Sequence, residues 1–214
     1  MRGGPHRSGE RAACGDRTHP SRARLFAAVD LPADVRASLA AWGRSAVGAA
    51  GGTLRAVSEA NLHLTLAFLG AREEEQAEAI GALVTACAAP AGPLSLGDAL
   101  WLPPRRPGVL TVAVNEEEGG ALGGLQRAVV EALVAGAAFE PETRPFRPHV
   151  TVARVRARQR LRHREVALPA PPQVTFRPPS LTLYRSRTGP GGARYEPLAR
   201  ASLEDRPCAR RSDG

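Results

Sequence analysis

The sequence contains the same short pattern twice, first as His63-Leu-Thr-Leu66 and again as His149-Val-Thr-Val152. Each copy lies in an apolar run bounded by turn residues (residues 61–70 and residues 148–154), which is typical of a buried or half-buried strand. Because side chains alternate between the two faces of a strand, the His and the Thr of each copy share one face. The repeat therefore predicts two strands that each bring an imidazole and a hydroxyl to one common site.

The elements around the two copies follow one order: a strand, a helix and then the strand with the His-x-Thr pattern. In the first half, residues 25–30 predict a strand, and Pro32 and Asp34 open a helix that runs over residues 35–42. In the second half, residues 109–114 predict a strand and residues 125–133 predict a helix. We therefore expect an α+β fold of two pseudo-twofold-related lobes, each an antiparallel sheet with flanking helices, around a central cleft.

The rest of the chain predicts a connecting helix, a closing hairpin and two tails. Residues 73–87 carry the apolar spacing of a helix, and residues 180–185 and 194–198 read as a hairpin around the Gly-rich residues 189–192. The first stretch lacks hydrophobic periodicity, so we expect a disordered extension over residues 1–23. One bilobal domain over residues 24–203 and a flexible tail over residues 204–214 complete the expected organisation.

Composition restricts the classes of function. The chain has 214 residues and a formal net charge of +8, and its 29 basic residues are all Arg, which excludes a lysine nucleophile or a P-loop lysine. Net positive charge favours an anionic partner, with nucleic acid first, although solvated surface Arg is the ordinary interpretation. Three scattered Cys and the lack of a long apolar segment favour a reducing cytoplasm, without membrane insertion.

The two patterns suit acid–base chemistry on a phosphate. One neutral His can accept a proton from a nucleophile, while a second, protonated His gives one to the leaving oxygen. The hydroxyls of Thr65 and Thr151 can donate to non-bridging phosphate oxygens, and Arg154 can stabilise the developing negative charge. This scheme needs no metal. A zinc site is the competing interpretation, and neither pattern has a further ligand at the spacing that zinc sites show.

An Arg occupies every even position over residues 154–164, with His163 inside the run. An extended segment of this kind would present one guanidinium face to RNA phosphates, and a solvated loop is an equally acceptable interpretation. Phe68 and Tyr184 could stack on a base, and we expect both to pack in the core instead.

With both patterns in hand, the chain resembles the two-histidine phosphoesterase superfamily. Within it, the chain is most similar to the RNA 2′,3′-cyclic phosphodiesterases, also called LigT-like 2′-5′ RNA ligases. The resemblance is carried by residues 24–32, 61–70, 144–154, 183–187 and 189–198. It implies a bilobal fold with a cleft to which each lobe contributes one His-x-Thr pattern.

The resemblance also implies an activity and residue roles. The activity is hydrolysis of RNA 2′,3′-cyclic phosphate ends to 2′-phosphomonoesters without metal, ATP or any other cofactor. His63 would be the proton donor to the departing O3′, His149 the proton acceptor that activates water, and Thr65, Thr151 and Arg154 would hold the phosphate. We expect a monomer that acts on RNA ends, with reverse 2′-5′ ligation as a side activity.

Two other functions stay open at this stage. The first is a phosphodiesterase for small cyclic or 2′,5′-linked nucleotides, whose binding would depend little on salt. The second is an RNA-binding module that has kept the fold and lost turnover, although binding alone has no need of two titrating groups.

Overall fold

A computed structural model describes residues 21–116, 119–157, 159, 161–189 and 192–204. In this part of the chain the α-helices are α1 (Ala33–Ala49), α2 (Ala77–Ala86) and α3 (Ala121–Gly136). The strands are β1 (Arg22–Asp30), β2 (Leu54–Ala56), β3 (His63–Glu73), β4 (Leu94–Leu102), β5 (Val109–Glu116), β6 (His149–Val155), β7 (Thr175–Phe176), β8 (Ser180–Gly189) and β9 (Gly192–Ser202).

The nine described strands form one antiparallel sheet in the order β7-β4-β5-β6-β3-β1-β8-β9, with β2 paired to β6. The order reads symmetrically outward from its centre, because β3, β1, β8 and β9 on one side correspond to β6, β5, β4 and β7 on the other. The two halves join where β3 meets β6, through a single paired position, Leu64 with Val150. The expected α+β fold with two related antiparallel lobes is confirmed.

The helices cover the sheet face opposite the His side chains. α1 packs against β2 and β6, α2 against β8 and β9, and α3 against β3. The strand before α1 is β1 and the strand before α3 is β5. Each of these two helices therefore packs on the half of the sheet that does not contain its preceding strand. Close approach depends on glycine: a Cβ on Gly43 of α1 would lie 3.3 Å from the carbonyl oxygen of Val152. The resulting core contains both Leu64 and Val150, each with no exposed surface.

Most predicted elements are confirmed, and one helix is shorter than expected. β3 continues to Glu73, a 3-10 turn follows over Glu74–Gln76, and α2 begins only at Ala77. The helix predicted over residues 73–87 was therefore wrong at its start, because pairing of Glu73 with Arg22 in β1 extends the strand. At the N-terminus, β1 begins at Arg22, two residues before the expected start of the domain, and residues 1–20 and 205–214 lie outside the described residues.

Strand β4 was not predicted from the sequence. Its pairing with β5 shifts between Leu96 and Ala99, so Gly97 and Asp98 together oppose the single residue Ala113. This β-bulge interrupts the period-two alternation by which a strand is recognised. Among the described helices, none is long and apolar enough to cross a membrane.

We predict that Leu64→Ala lowers the free energy of unfolding by about 2–5 kcal/mol, because the substitution leaves a cavity where the halves of the sheet join. Equilibrium unfolding in urea, followed by circular dichroism, measures the change. The control is Val134→Ala on α3, whose side chain is 47% exposed and which should change the unfolding free energy by less than about 1 kcal/mol. Equal losses in the two variants would contradict the assigned role of the junction.

Candidate active site

The junction of β3 and β6 brings the two His-x-Thr patterns together. The paired position is Leu64 with Val150, and both of these side chains point into the core. Continuing the antiparallel register by one residue in each direction places His63 beside Thr151 and Thr65 beside His149, all on the other face. We call this surface the histidine face. Two imidazoles and two hydroxyls thus lie in a crossed arrangement on adjoining strands.

Two matching β-bulges add one further residue from each strand to the histidine face. In β3 the pairing with β1 skips Leu66, and in β6 the pairing with β5 skips Val152. With strict alternation, the residue three positions after each Thr would lie on the opposite face from that Thr. The extra residue of the bulge shifts the alternation by one, so this residue lies on the same face as the Thr instead. Phe68 and Arg154 therefore share the face with the histidines. This geometry explains how Arg154 reaches the site.

Both histidine rings are held in the same way. The Nδ1 atom of His63 lies 2.7 Å from the carbonyl oxygen of Asn61, and the Nδ1 atom of His149 lies 2.7 Å from that of Arg147. A carbonyl oxygen only accepts hydrogen bonds, so each Nδ1 carries the proton and donates it. In the neutral rings Nε2 is then unprotonated, and it is the atom available for proton transfer.

His63 is the more enclosed of the two rings. Burial lowers the pKa of His63 to about 4, and the positive charges of Arg154 and His149 act in the same direction. The Asn61 hydrogen bond and the negative charge of Asp30 oppose this effect. At neutral pH the free site therefore holds a neutral His63, whose Nε2 accepts a hydrogen bond from the Thr65 hydroxyl at 3.0 Å.

Asp30 is the buried acidic group of this site and was not identified from the sequence. It pairs with His63 across β1 and β3. Its carboxylate accepts hydrogen bonds from Ser180 at 2.5 Å, Thr182 at 2.7 Å and Tyr184 at 2.5 Å. Arg200 completes the cluster, with its Nε 3.3 Å from Oδ2 of Asp30. A fully paired carboxylate beside His63 partly offsets the effect of burial on that imidazole.

Burial, followed by the hydrogen bond to Asp30, raises the pKa of Tyr184 to about 12. This hydroxyl therefore stays protonated at neutral pH and remains a donor to the carboxylate. The sequence contains a signal for this cluster. Asp30 ends an apolar strand and lies in alternation with Phe26 and Ala28, so its carboxylate is on the same face as these residues.

Aromatic rings surround His63. Its ring centroid lies 4.8 Å from that of Phe26 and 5.2 Å from that of Tyr195 in an edge-on contact. Tyr184 stacks on Phe26 at 5.3 Å and is half-buried. Phe68 contacts Phe26 at 5.8 Å yet is 58% exposed, so the expected core position of Phe68 was wrong. The bulge in β3 is the reason, because it turns Phe68 toward the open face.

The arginine-rich segment is not one extended guanidinium face. β6 ends at Val155, and Arg156 turns back to donate to the carbonyl oxygens of Gly52 and Leu54 at 3.0 and 3.1 Å. Arg162 pairs with Glu165 at 3.3 Å in a 3-10 turn, and residues 158 and 160 lie outside the described residues. The interpretation of residues 154–164 as one continuous track for RNA phosphates was therefore wrong for the described part.

Arg154 differs from these neighbours. It pairs with Arg55 on the adjacent strand β2, and the Arg55 guanidinium lies against Gly192 at the start of β9. Among the described residues, neither Arg154 nor Arg55 forms an ion pair with a carboxylate. Two like charges without an acidic partner at the edge of the histidine face favour binding of an anion. No cluster of three or more His, Cys, Asp or Glu side chains with metal-binding geometry occurs in the described segments.

Known protein sequences match more than half of this chain. The family model of the 2′-5′ RNA ligase superfamily matches residues 33–190. An RNA 2′,3′-cyclic phosphodiesterase of Escherichia coli is 33% identical over 185 residues, covering 84% of this chain and 96% of that protein. An RNA 2′,3′-cyclic phosphodiesterase of Aeropyrum pernix is 32% identical over 121 residues, covering 55% of this chain and 66% of that protein.

Solved structures agree with the sequence comparisons. Escherichia coli LigT complexed with 3′-AMP superposes with a TM-score of 0.70 at 30% identity, covering 86% of this chain and 100% of that chain. A Thermus thermophilus protein superposes with a TM-score of 0.68 at 31% identity, covering 84% of this chain and 97% of that chain. The matched sequence and the shared two-lobed sheet show that the chain belongs to the 2′-5′ RNA ligase superfamily.

Proposed function

We propose that this protein hydrolyses RNA ends that carry a 2′,3′-cyclic phosphate, leaving a 2′-phosphomonoester and a free 3′-hydroxyl. The observation that carries the proposal is the pair of histidines, His63 and His149, whose Nδ1–H groups are held alike so that both Nε2 atoms serve one face. The two relatives that bear the name RNA 2′,3′-cyclic phosphodiesterase support the substrate class.

The reaction needs one proton removed and one delivered. In the proposed scheme, Nε2 of His149 takes a proton from water as its oxygen attacks phosphorus, and the P–O3′ bond breaks. Nε2–H of His63 gives its proton to O3′, and the phosphate remains on O2′. Thr65 and Thr151 donate to non-bridging oxygens, and Arg154 stabilises the additional negative charge. No step requires a metal, and the same steps with a ribose 5′-hydroxyl in place of water as the nucleophile form a P–O5′ bond as P–O3′ breaks, which gives 2′-5′ ligation.

The low pKa of His63 in the free site bears directly on its role. A donor must carry a proton on Nε2, and burial lowers the pKa of His63 to about 4 before substrate binds. An anionic cyclic phosphate beside the ring offsets the charge of Arg154, and it therefore favours the imidazolium. Protonation also removes the acceptor that Nε2 offers to Thr65, whose hydroxyl then becomes free to donate to the phosphate.

RNA is a better fit than a small nucleotide because two guanidinium groups have no carboxylate partner among the residues that the structure describes. Arg55 lies on the strand next to Arg154, where it can contact a phosphate beyond the reacting one that Arg154 binds. A binding module without turnover is disfavoured, since two imidazoles with identically directed Nε2 atoms exceed what phosphate binding requires.

We predict that His63→Ala and His149→Ala each reduce the hydrolysis of a short RNA ending in 2′,3′-cyclic phosphate by about 100-fold or more, because each removes a proton-transfer group. The assay contains a chelator, and chromatography identifies the phosphomonoester product. His163→Ala is the matched control, because that imidazole packs on Trp101, with the ring centroids 6.1 Å apart, and should retain activity. Full activity in either of the first two variants, or an inactive wild-type protein, would refute the proposal.

The assignment of His63 as the donor predicts a change of its pKa on binding. In the free protein the ring should titrate near 4, and saturation with a nucleoside 2′-monophosphate should move the midpoint toward the ordinary value of 6.5. NMR of the imidazole Cε1–H signals, assigned with His63→Ala, measures both states. A midpoint that stays near 4 in the complex would leave His63 without a proton to give, and the two roles would then be exchanged.

Replacement of Arg154 tests the electrostatic part of the scheme. Arg154→Gln should lower kcat/KM on cyclic-phosphate RNA by about 10-fold to 100-fold, with a weaker dependence on salt, because one phosphate contact is lost. It should also raise the pKa of His63 in the free protein, since the charge of Arg154 lowers it. Arg164→Gln removes the same charge from an exposed site in the 3-10 turn and serves as the control. Equal effects of the two substitutions would show that only net charge matters.

A further inference from the structure

The space beside the histidine is filled by side chains in one half of the sheet and left open in the other. On β1, the residue opposite His63 is Asp30, and its hydrogen-bonded cluster and the aromatic rings fill the space next to that imidazole. On β5, the residue opposite His149 is Ala113, whose small side chain fills little. The pseudo-twofold relation therefore ends at this position, and the second half leaves a cavity where the first half is packed.

The cavity has a volume of about 510 Å³, which lies within the range of roughly 300–1,000 Å³ typical of small-molecule sites. Its lining includes Ser95, Ala113 and Asn115. Ala113 pairs with His149 and Asn115 pairs with Ser95, and partners across antiparallel strands share a face. The cavity therefore continues the histidine face outward from His149.

The β-bulge in β4 shapes this cavity. Gly97 and Asp98 both oppose Ala113, the residue that pairs with His149 on its other side, and the bulge bends β4 at this position. A Cβ on Gly97 would lie only 2.7 Å from Nδ2 of Asn115, so glycine is what allows the Asn115 amide to lie over the β4 backbone. The same bulge that concealed β4 in the sequence thus places an amide in the cavity.

The lining indicates the class of ligand. The Asn115 and Gln173 amides each offer a donor and an acceptor, Asp98 offers acceptors, and Leu100, which is 39% exposed, offers an apolar surface. Amide side chains match the edges of nucleobases, and unstacked bases at RNA ends are read by such edge contacts. None of the described residues that line the cavity is basic, so an uncharged ring fits better than a second phosphate.

We infer that this cavity binds the base of the terminal nucleotide, the one that carries the cyclic phosphate. The inference rests on the proposed function, because the phosphate between His63 and His149 is what brings the attached nucleoside next to Ala113. The base then lies on the β4–β5 side of the face, and Asn115 and Gln173 contact its edge.

The test compares RNAs that share a sequence and differ only in the terminal nucleotide, whose ribose 2′,3′-cyclic phosphate carries one of the four bases or none. Wild-type protein should have a higher kcat/KM on the RNAs whose terminal nucleotide carries a base than on the abasic RNA. Asn115→Leu, which keeps the side-chain volume, and Gln173→Ala, in an exposed segment, should each lower kcat/KM on based substrates by about 10-fold or more, through KM. Hydrolysis of the abasic substrate should change by less than about 2-fold, because its contacts are unaltered.

Calorimetry provides a second measurement that does not depend on turnover. Both variants should bind a nucleoside 2′-monophosphate more weakly than wild type and should bind inorganic phosphate with unchanged affinity. The control variant is Gln76→Ala, which removes an exposed amide at the start of α2 and should match wild type in both assays.

The outcomes separate the two proposals. A wild-type protein that hydrolyses based and abasic ends equally well, or variants that lose both substrates in parallel, would overturn the base site and leave the cyclic phosphodiesterase activity standing. A wild-type protein that hydrolyses none of these RNAs would overturn the proposed function, and the base site with it.

Discussion

A single antiparallel contact, between Leu64 of β3 and Val150 of β6, determines where all the chemistry of this protein is placed. Both side chains are fully buried, and their burial on one face forces the neighbouring His and Thr of each strand onto the other. A shift of one residue in this register would turn the imidazoles into the core and the leucine and valine to solvent. Packing of the core and assembly of the site therefore depend on the same register. The helices α1 and α3 stabilise it, because each packs on the buried face of the half of the sheet that does not contain its preceding strand.

The two halves are alike in their frame and different in what surrounds the histidines. Both strands contain a bulge just after the threonine, and both imidazoles donate from Nδ1 to a carbonyl oxygen two residues earlier. Around His63 the protein places aromatic rings and a paired carboxylate, whereas an open cavity lies at Ala113, the strand partner of His149. Two copies of one imidazole in unlike surroundings are the usual means of obtaining an acid and a base from the same residue type.

Charge is distributed to suit an anionic substrate. Arg200 and three hydroxyl groups satisfy the carboxylate of Asp30, so its negative charge is engaged within the first half of the sheet. Arg154 and Arg55, by contrast, have no carboxylate partner among the described residues and lie at the edge of the histidine face. Burial is the main cause of the lowered pKa of His63, and the charge of Arg154 acts in the same direction.

The sequence by itself determined the two His-x-Thr strands, the helices that precede them and the membership of the two patterns in one site, because period-two alternation and helix-start signals are local properties. It also indicated Arg154, but not how this residue reaches the histidine face. Only the tertiary structure decided that, since a bulge depends on the partner strand and leaves no local signal at Val152. The same holds for β4, concealed by the bulge at Gly97 and Asp98, and for the exposure of Phe68. The Asp30 cluster joins β1 to β8 and β9, and contacts between residues so distant in the chain are set by sheet topology rather than by any local pattern.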